Sequence, residues 1–176
     1  NVFRQICDEE RPTSFLSLSN LRHRFEFQLL AGETNQKIIQ KKNIQKLISK
    51  WLEPNKYEIE TFYIHNFKGS FLKTFQNNNI FLIGDAAYQI PPYASQGLNS
   101  GIRDILNLIW KINLVVNFKC NENLLLTYSL ERVKQIKETI KSSIALGQLI
   151  DSLSFAFQKN IPFEEAIAPE ARDQAF

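Results

Sequence analysis

Methionine is absent from all 176 residues, cysteine and histidine number two each, and glycine and proline six each. Each shortage excludes something. So little glycine and proline rules out collagen-like and low-complexity chains. Cys7 and Cys120 offer no metal-ligand spacing and at most one disulfide, so reduced thiols in a cytoplasmic protein are expected. No apolar run approaches the roughly 18–20 residues that a membrane-spanning helix needs, and no basic-then-apolar leader opens the chain. With no Met, and with Asn1-Val2-Phe3-Arg4 reading like the middle of a strand, the sequence is expected to be a piece of a longer protein.

What is present is ordinary for a globular domain: 44% hydrophobic residues, 22% charged and a net charge of +3. Fourteen Lys against seven Arg stand beside twenty Ile and sixteen Asn, the joint excess that AT-rich codons produce. The lysines are spread along the chain, whereas a nucleic-acid footprint is a clustered patch. No nucleic-acid or membrane partner is expected.

The first thirty residues alternate in polarity. In Arg22-His23-Arg24-Phe25-Glu26-Phe27-Gln28-Leu29, one parity is aromatic or apolar and the other charged or polar, the period of a half-buried strand. Residues 2–7 and 13–18 are similar, and turn-forming residues separate them, so an antiparallel meander is predicted. From Asn35 to Leu52, the residues Ile44, Leu47, Ile48, Trp51 and Leu52 predict one amphipathic helix stopped before Pro54. Tyr57 to Asn66 is strand-like, Asn77-Asn78-Asn79 is a turn, and Ile80–Ile83 reads as a short buried strand. Beyond Pro91-Pro92, the stripe Leu98, Ile102, Ile105, Ile109, Ile112 and Val116 predicts a helix buried on that face. A second long helix, about Asn123 to Ile150, carries Leu126, Leu130, Val133, Ile136, Ile140 and Ile144, with Asn121 or Asn123 as its cap. The expected division is 1–79, 80–151 and a connector at 152–176.

Chemistry concentrates in IFLIGDAAYQIPPYASQGLNSGIRD, residues 80–104. An apolar strand delivers Gly84 and Asp85 to its carboxyl end, where open α/β sheets bind ligands. Gly84 allows close backbone approach, and the Asp85 carboxylate can accept hydrogen bonds from hydroxyls. Gln96, Gly97, Leu98 and Asn99 then open a helix whose free N–H groups favour an electron-rich or anionic group. A magnesium-binding strand of phosphate-loop enzymes would need a glycine-rich loop ending in Lys-Ser or Lys-Thr, and the sequence has none.

This stretch resembles the second flavin motif of the FAD-dependent aromatic-ring monooxygenases of the p-hydroxybenzoate hydroxylase class. Gly84-Asp85-Ala86-Ala87, Pro91-Pro92, Gln96-Gly97-Leu98-Asn99, Gly101-Ile102, Asp104, Asn107-Leu108 and Trp110-Lys111 all fall at the family's spacings. Arg4 to Asp8, Arg11 to Thr13, Arg24 to Phe27 and Leu30 to Glu33 are similar to the branch of 3-(3-hydroxyphenyl)propionate hydroxylases, as are Leu125 to Arg132. The resemblance covers residues 1 to 150.

It implies an α/β fold, α+β in this stretch: an antiparallel substrate-domain sheet, a last strand of the FAD domain and long helices. It also implies hydroxylation of a small phenolic compound with FAD, NAD(P)H and O2. Asp85 would hold the ribityl chain, Pro92 to Gly97 would line the isoalloxazine, and the N–H groups of Leu98 and Asn99 would meet its pyrimidine edge. Tyr88 stands where the family has His, Ala94-Ser95 where a glycine is common, and Val133 where Pro often follows Glu-Arg. The family's Gly-x-Gly-x-x-Gly turn, which takes the ADP half of FAD, is absent from these residues.

Two other readings are open: a flavin-free interaction fragment, and the same fold with halogenase or reductase chemistry. Elsewhere, His23 lies on its strand's apolar parity and is expected in the core or a pocket wall. His65 has no visible acid–base partner, and Glu58 with Glu60 forms a solvated face. Phe25, Phe27, Tyr57 and Tyr63 are core residues or the lining of an aromatic pocket.

Overall fold

The computed structural model describes residues 2–18 and 21–161, which form two compact units: residues 2–66 with 149–161, and residues 67–148. In the first unit, β1 (Phe3–Ile6), β2 (Thr13–Ser17) and β3 (His23–Phe27) make an antiparallel sheet in the order β1-β2-β3. The register pairs Arg4 with Phe15 and Phe15 with Phe25, so the predicted aromatic parity becomes one face. Phe15, Phe25 and Phe27 follow one another at centroid separations of 5.1 and 5.8 Å. His23 extends this ladder, 5.3 Å from Phe15, but it is exposed rather than in the core. Arg11 ties the sheet to the following chain. Its guanidinium meets both Glu33 carboxylate oxygens, at 2.5 and 2.7 Å, and also the carbonyl of Gln28.

The single helix expected over residues 35–52 is two: α1 (Asn35–Ile38) and α2 (Lys41–Ile48). Gln40 is extended between them, and the Asn43 side chain donates to the Lys37 carbonyl at 2.6 Å, satisfying an acceptor that a continuous helix would have used. Residues 57–66 take no regular secondary structure, because their β-branched and aromatic side chains find no strand to pair with among the described residues. Glu60 instead meets Arg22 at 3.0 Å on the surface.

The second unit contains two small antiparallel pairs, β4 (Ser70–Phe71) with β7 (Tyr88–Gln89) and β5 (Gln76–Asn77) with β6 (Ile80–Phe81). Asn78 turns the β5–β6 hairpin at φ 51°. The buried strand expected at Ile80–Ile83 is therefore a hairpin arm of two residues, and Ile80 is 65% exposed. Two helices follow, α3 (Gly97–Phe118) and α4 (Asn123–Lys159), the latter continuing into the first unit. The Asn121 side chain accepts from the Asn123 N–H at 2.9 Å, as expected of a cap. The core of this unit gathers Phe75, Ala87, Tyr88, Leu108, Tyr128, Ile136 and Ile140. No described helix is long and apolar enough to cross a membrane.

Both helix stripes need correction. On α3, Leu98, Ile102, Ile105, Ile109 and Val116 are exposed, and the buried face is Ser100, Asp104, Leu108 and Lys111. That face is tolerable because its charges are paired, as described below. On α4, Ile136 and Ile140 are buried as expected, but Leu126, Leu130 and Ile144 are exposed. Tyr128, Ser129, Arg132 and Ser143 share the buried face with the two isoleucines. The helix also runs past Ile150 to Lys159, while Pro162 and Pro169 of the expected connector lie outside the described residues.

Candidate functional site

Gly84 to Ala86 form a 3₁₀ turn directly after the β5–β6 hairpin, with Gly84 at φ 54°, a conformation that glycine adopts without steric cost. The turn lies against α3 at its second glycine: a Cβ on Gly101 would stand 3.7 Å from the Gly84 Cα. Pro92–Ala94 make a second 3₁₀ turn. Ser95 then adopts a left-handed conformation at φ 50°, the place where a glycine is common in the resembled motif. Gln96 precedes α3 without capping it, its side chain donating instead to the Ala94 carbonyl at 3.0 Å. Gly97, Leu98 and Asn99 form the first turn of α3, which contains no acidic residue. All seven residues singled out from the sequence are thus placed at one end of α3.

Asp85 is exposed, and its carboxylate has no hydrogen-bond partner among the described residues. The first N–H groups of α3 have no intrahelical acceptor by the geometry of any helix, and no side chain supplies one. An uncommitted carboxylate and an uncapped helix terminus are the acceptors and donors that a polyhydroxylated chain and an electron-rich heterocycle call for. These are the groups that the resemblance assigns to FAD's ribityl and pyrimidine portions.

What holds this end of the molecule in place is a buried ion pair that the sequence reading passed over. Asp104, fully buried, accepts from the Gly84 N–H at 2.9 Å, from the Tyr88 hydroxyl at 2.6 Å and from Arg132 Nε at 2.6 Å. Arg132 also donates to the Ser100 carbonyl at 3.2 Å and to the Gln135 side chain. One carboxylate thus joins the flavin-motif turn, α3 and α4. Tyr88, where the family has His, is a partner of this carboxylate, and burial followed by the hydrogen bond to Asp104 pushes its phenol well above the usual range. Tyr128 works nearby, donating to the Leu82 carbonyl at 2.8 Å. The only advance sign was a second, polar stripe on α3, Ser100, Asp104 and Lys111, at helical spacing.

A second network lies one turn further along α3. The buried Lys111 ammonium donates to Asn107 at 2.9 Å and to Glu131 at 3.0 Å, and Asn107 donates to Glu131 at 2.7 Å. The Asn107 hydrogen bond, and then the Lys111 charge, hold the Glu131 carboxyl below its ordinary value. Stability from a carboxyl lowered in the folded state is present above the unfolded value, about 4.3, and is lost as pH falls through the folded one. Acidification from pH 5 to 3 is expected to weaken the parent more than Glu131→Gln. Urea midpoints of the two proteins across that range measure the difference. Equal slopes would remove Glu131 from the acid response.

The loop facing the end of α3 rests on α4. Ser143, fully buried, donates to the Pro91 carbonyl at 2.6 Å, and a Cβ on Gly147 would lie 2.6 Å from the Tyr93 ring. Gly147→Ala is therefore expected to displace Tyr93 and the Pro92–Ala94 turn, the overpacking cost of about 1–3 kcal/mol being offset by about 1 kcal/mol of helix propensity in α4. Thermal unfolding measures the stability change and hydrogen exchange in the Pro92–Ala94 turn the displacement, and turn exchange equal to the parent's would show that the ring gives way without moving the turn.

A family model described as "FAD binding domain" matches residues 7–143, and the chain belongs to that family. It is 38% identical over 147 residues to a 3-(3-hydroxy-phenyl)propionate/3-hydroxycinnamic acid hydroxylase of Klebsiella pneumoniae subsp. pneumoniae, and 37% identical over 148 to one of Escherichia coli O139:H28. Each match takes in 82% of this chain but 26% of the relative, so the chain corresponds to about a quarter of these proteins. In fold it is similar to the flavin-dependent monooxygenase PieE, solved with FAD and substrate, at a TM-score of 0.64 and 20% identity. That match covers 95% of this chain and 31% of the other. The aromatic hydroxylase CabE from angucycline biosynthesis gives 0.62 at 19% identity, covering 93% and 35%.

Proposed function

We propose that this chain is the flavin-facing and part of the substrate-facing portion of an FAD-dependent monooxygenase, acting on a small phenolic compound with NAD(P)H and O2. The observation that carries this reading is the exposed, unpartnered Asp85 carboxylate on a turn fixed against the uncapped end of α3. Asp85 would accept hydrogen bonds from ribityl hydroxyls. The N–H groups of Leu98 and Asn99 would meet the pyrimidine edge, where the helix dipole stabilises negative charge. Gly84 and Gly97 keep the approach open, Gln96 stays turned back on Ala94, and Pro92 would stand at the edge of the ring system. FAD, when bound, supplies the redox chemistry, and the protein orients it and excludes water.

The hydroxylase relatives support an aromatic substrate, and so does the ladder of Phe15, Phe25 and Phe27, whose half-buried rings offer flat apolar surface. We assign substrate contact to residues 1–79 and flavin contact to 80–151. Use of NAD(P)H fits a cytoplasmic enzyme.

The test is Asp85→Ala in the flavin-binding form of the protein. A hydrogen bond to a charged group contributes about 1.5–3 kcal/mol, so FAD should bind roughly ten- to a hundredfold more weakly. The apo melting point should stay unchanged, since no described residue leans on this carboxylate. Unaltered affinity, read by flavin fluorescence, would discard the cofactor role.

A further inference from the structure

Pro91 and Pro92 carry no N–H, so the segment that opens the Pro92–Ala94 turn can be tied down only through its carbonyls, by a donor brought from elsewhere. α4 brings that donor. A hydroxyl inside a helix ordinarily returns to a carbonyl of its own preceding turn, as Thr127 does to Leu124 at 2.8 Å and Thr139 to Gln135 at 3.0 Å. The fully buried Ser143 hydroxyl instead leaves its helix and donates to the Pro91 carbonyl at 2.6 Å. Pro91 is buried at this contact, while Pro92 and Tyr93 beyond it are exposed. One turn further along α4, Gly147 leaves the space that the Tyr93 ring fills, although glycine weakens a helix interior. Serine and glycine at four-residue spacing thus seat the turn by its backbone and by its ring.

The same face of α4 holds the other turn of the site. Arg132 reaches Asp104, which accepts from the N–H of Gly84, next to Asp85. Arg132 and Ser143 stand three helical turns apart, roughly 16 Å at about 1.5 Å per residue. α4 is uninterrupted between them, so one helix gauges the span from the Asp85 turn to the Pro92 turn.

We propose that Ser143 is a positioning residue of the flavin site, whose hydroxyl sets where Pro92 stands relative to Asp85. The proposal rests on the flavin reading above. Without this hydroxyl the Pro91 carbonyl loses its tie to α4, and the turn samples positions that the cofactor must then order at the expense of its own affinity. The Asp85 side is untouched, because Asp104 and Arg132 hold Gly84 separately.

The experiment compares the parent with Ser143→Ala and with Ser143→Thr, which keeps the hydroxyl. In the chain without cofactor, the amide protons of Tyr93, Ala94 and Ser95 should exchange roughly fivefold faster or more in Ser143→Ala, the fold-change of about one hydrogen bond. Those of Gly84 to Ala86 should exchange as in the parent. In the flavin-binding form of the protein, Ser143→Ala should bind FAD about fivefold more weakly, and the long-wavelength absorption band of the bound flavin should shift. Ser143→Thr should restore the exchange rates, the affinity and the spectrum. Turn exchange equal to the parent's in Ser143→Ala overturns the positioning role. So does faster exchange with FAD affinity and spectrum unaltered, and so does a Thr variant that behaves like Ala. All three leave the flavin reading standing. A parent that takes up no FAD in its longer form overturns the flavin reading itself, whatever the exchange rates.

Discussion

Asp104→Ala is expected to be the most damaging single substitution in the second unit, lowering stability by about 3–5 kcal/mol, the cost of leaving a buried charge without its partner. The Arg132 guanidinium would remain 3% exposed with its strongest acceptor gone, and the Gly84 N–H and Tyr88 hydroxyl would lose theirs as well. For a chain of this length the loss corresponds to a fall in melting point of roughly 10 °C or more. The network also makes a finer demand. Replacing Asp104 and Arg132 together by Leu and Met should restore much of the stability, because desolvating two charges offsets most of what their attraction returns. The double variant would still lack the tie between Gly84 and α3, so the Gly84–Ala86 turn should exchange its amide protons faster than in the parent. Thermal unfolding and hydrogen exchange on the three proteins separate these effects. If Asp104→Ala unfolds within 0.5 kcal/mol of the parent, roughly the scatter of an ordinary surface substitution, the ion pair does not hold the turn.

How much of this was readable in advance depended on whether the signal was local. The β1–β3 meander was legible because period-two alternation is imposed by the strand itself, and its register follows from which face is apolar. The start of α3 was legible too, expected among Gln96 to Asn99 and found at Gly97. Periodicity also located the apolar stripe of α3 correctly, but it carries no information about what covers it, so the face was taken for this chain's own core. The opposite face could be recognised as buried only by knowing that Asp104 meets Arg132 and Lys111 meets Glu131, partners 28 and 20 residues away. Residues 57–66 failed differently: a strand is completed by its neighbour, and β-propensity without a partner leaves the segment without regular secondary structure. The candidate site residues were singled out by the motif's spacing, and the residues that support them, Tyr88, Arg132, Ser143 and Gly147, were not, because support is a matter of three-dimensional neighbours.

Titrated with FAD, the chain alone should bind at least about a thousandfold more weakly than a longer, flavin-binding form of the protein that carries the glycine-rich turn. The reason lies in how FAD's contacts divide. Asp85 and the end of α3 address the ribityl and pyrimidine portions. The pyrophosphate and adenosine have no glycine-rich turn to receive them anywhere in the 176 residues. Missing about half of the contacts amounts to several kcal/mol, and each 1.4 kcal/mol is a factor of ten in affinity. Quenching of flavin fluorescence gives the dissociation constant for the chain alone and for the longer form. Riboflavin, which lacks the ADP half, should bind the two preparations with far more similar affinity. Tight, stoichiometric binding of FAD to the chain alone would mean that the ribityl and isoalloxazine contacts suffice. Equal FAD affinities in the two forms would mean that the pyrophosphate contributes nothing to recognition.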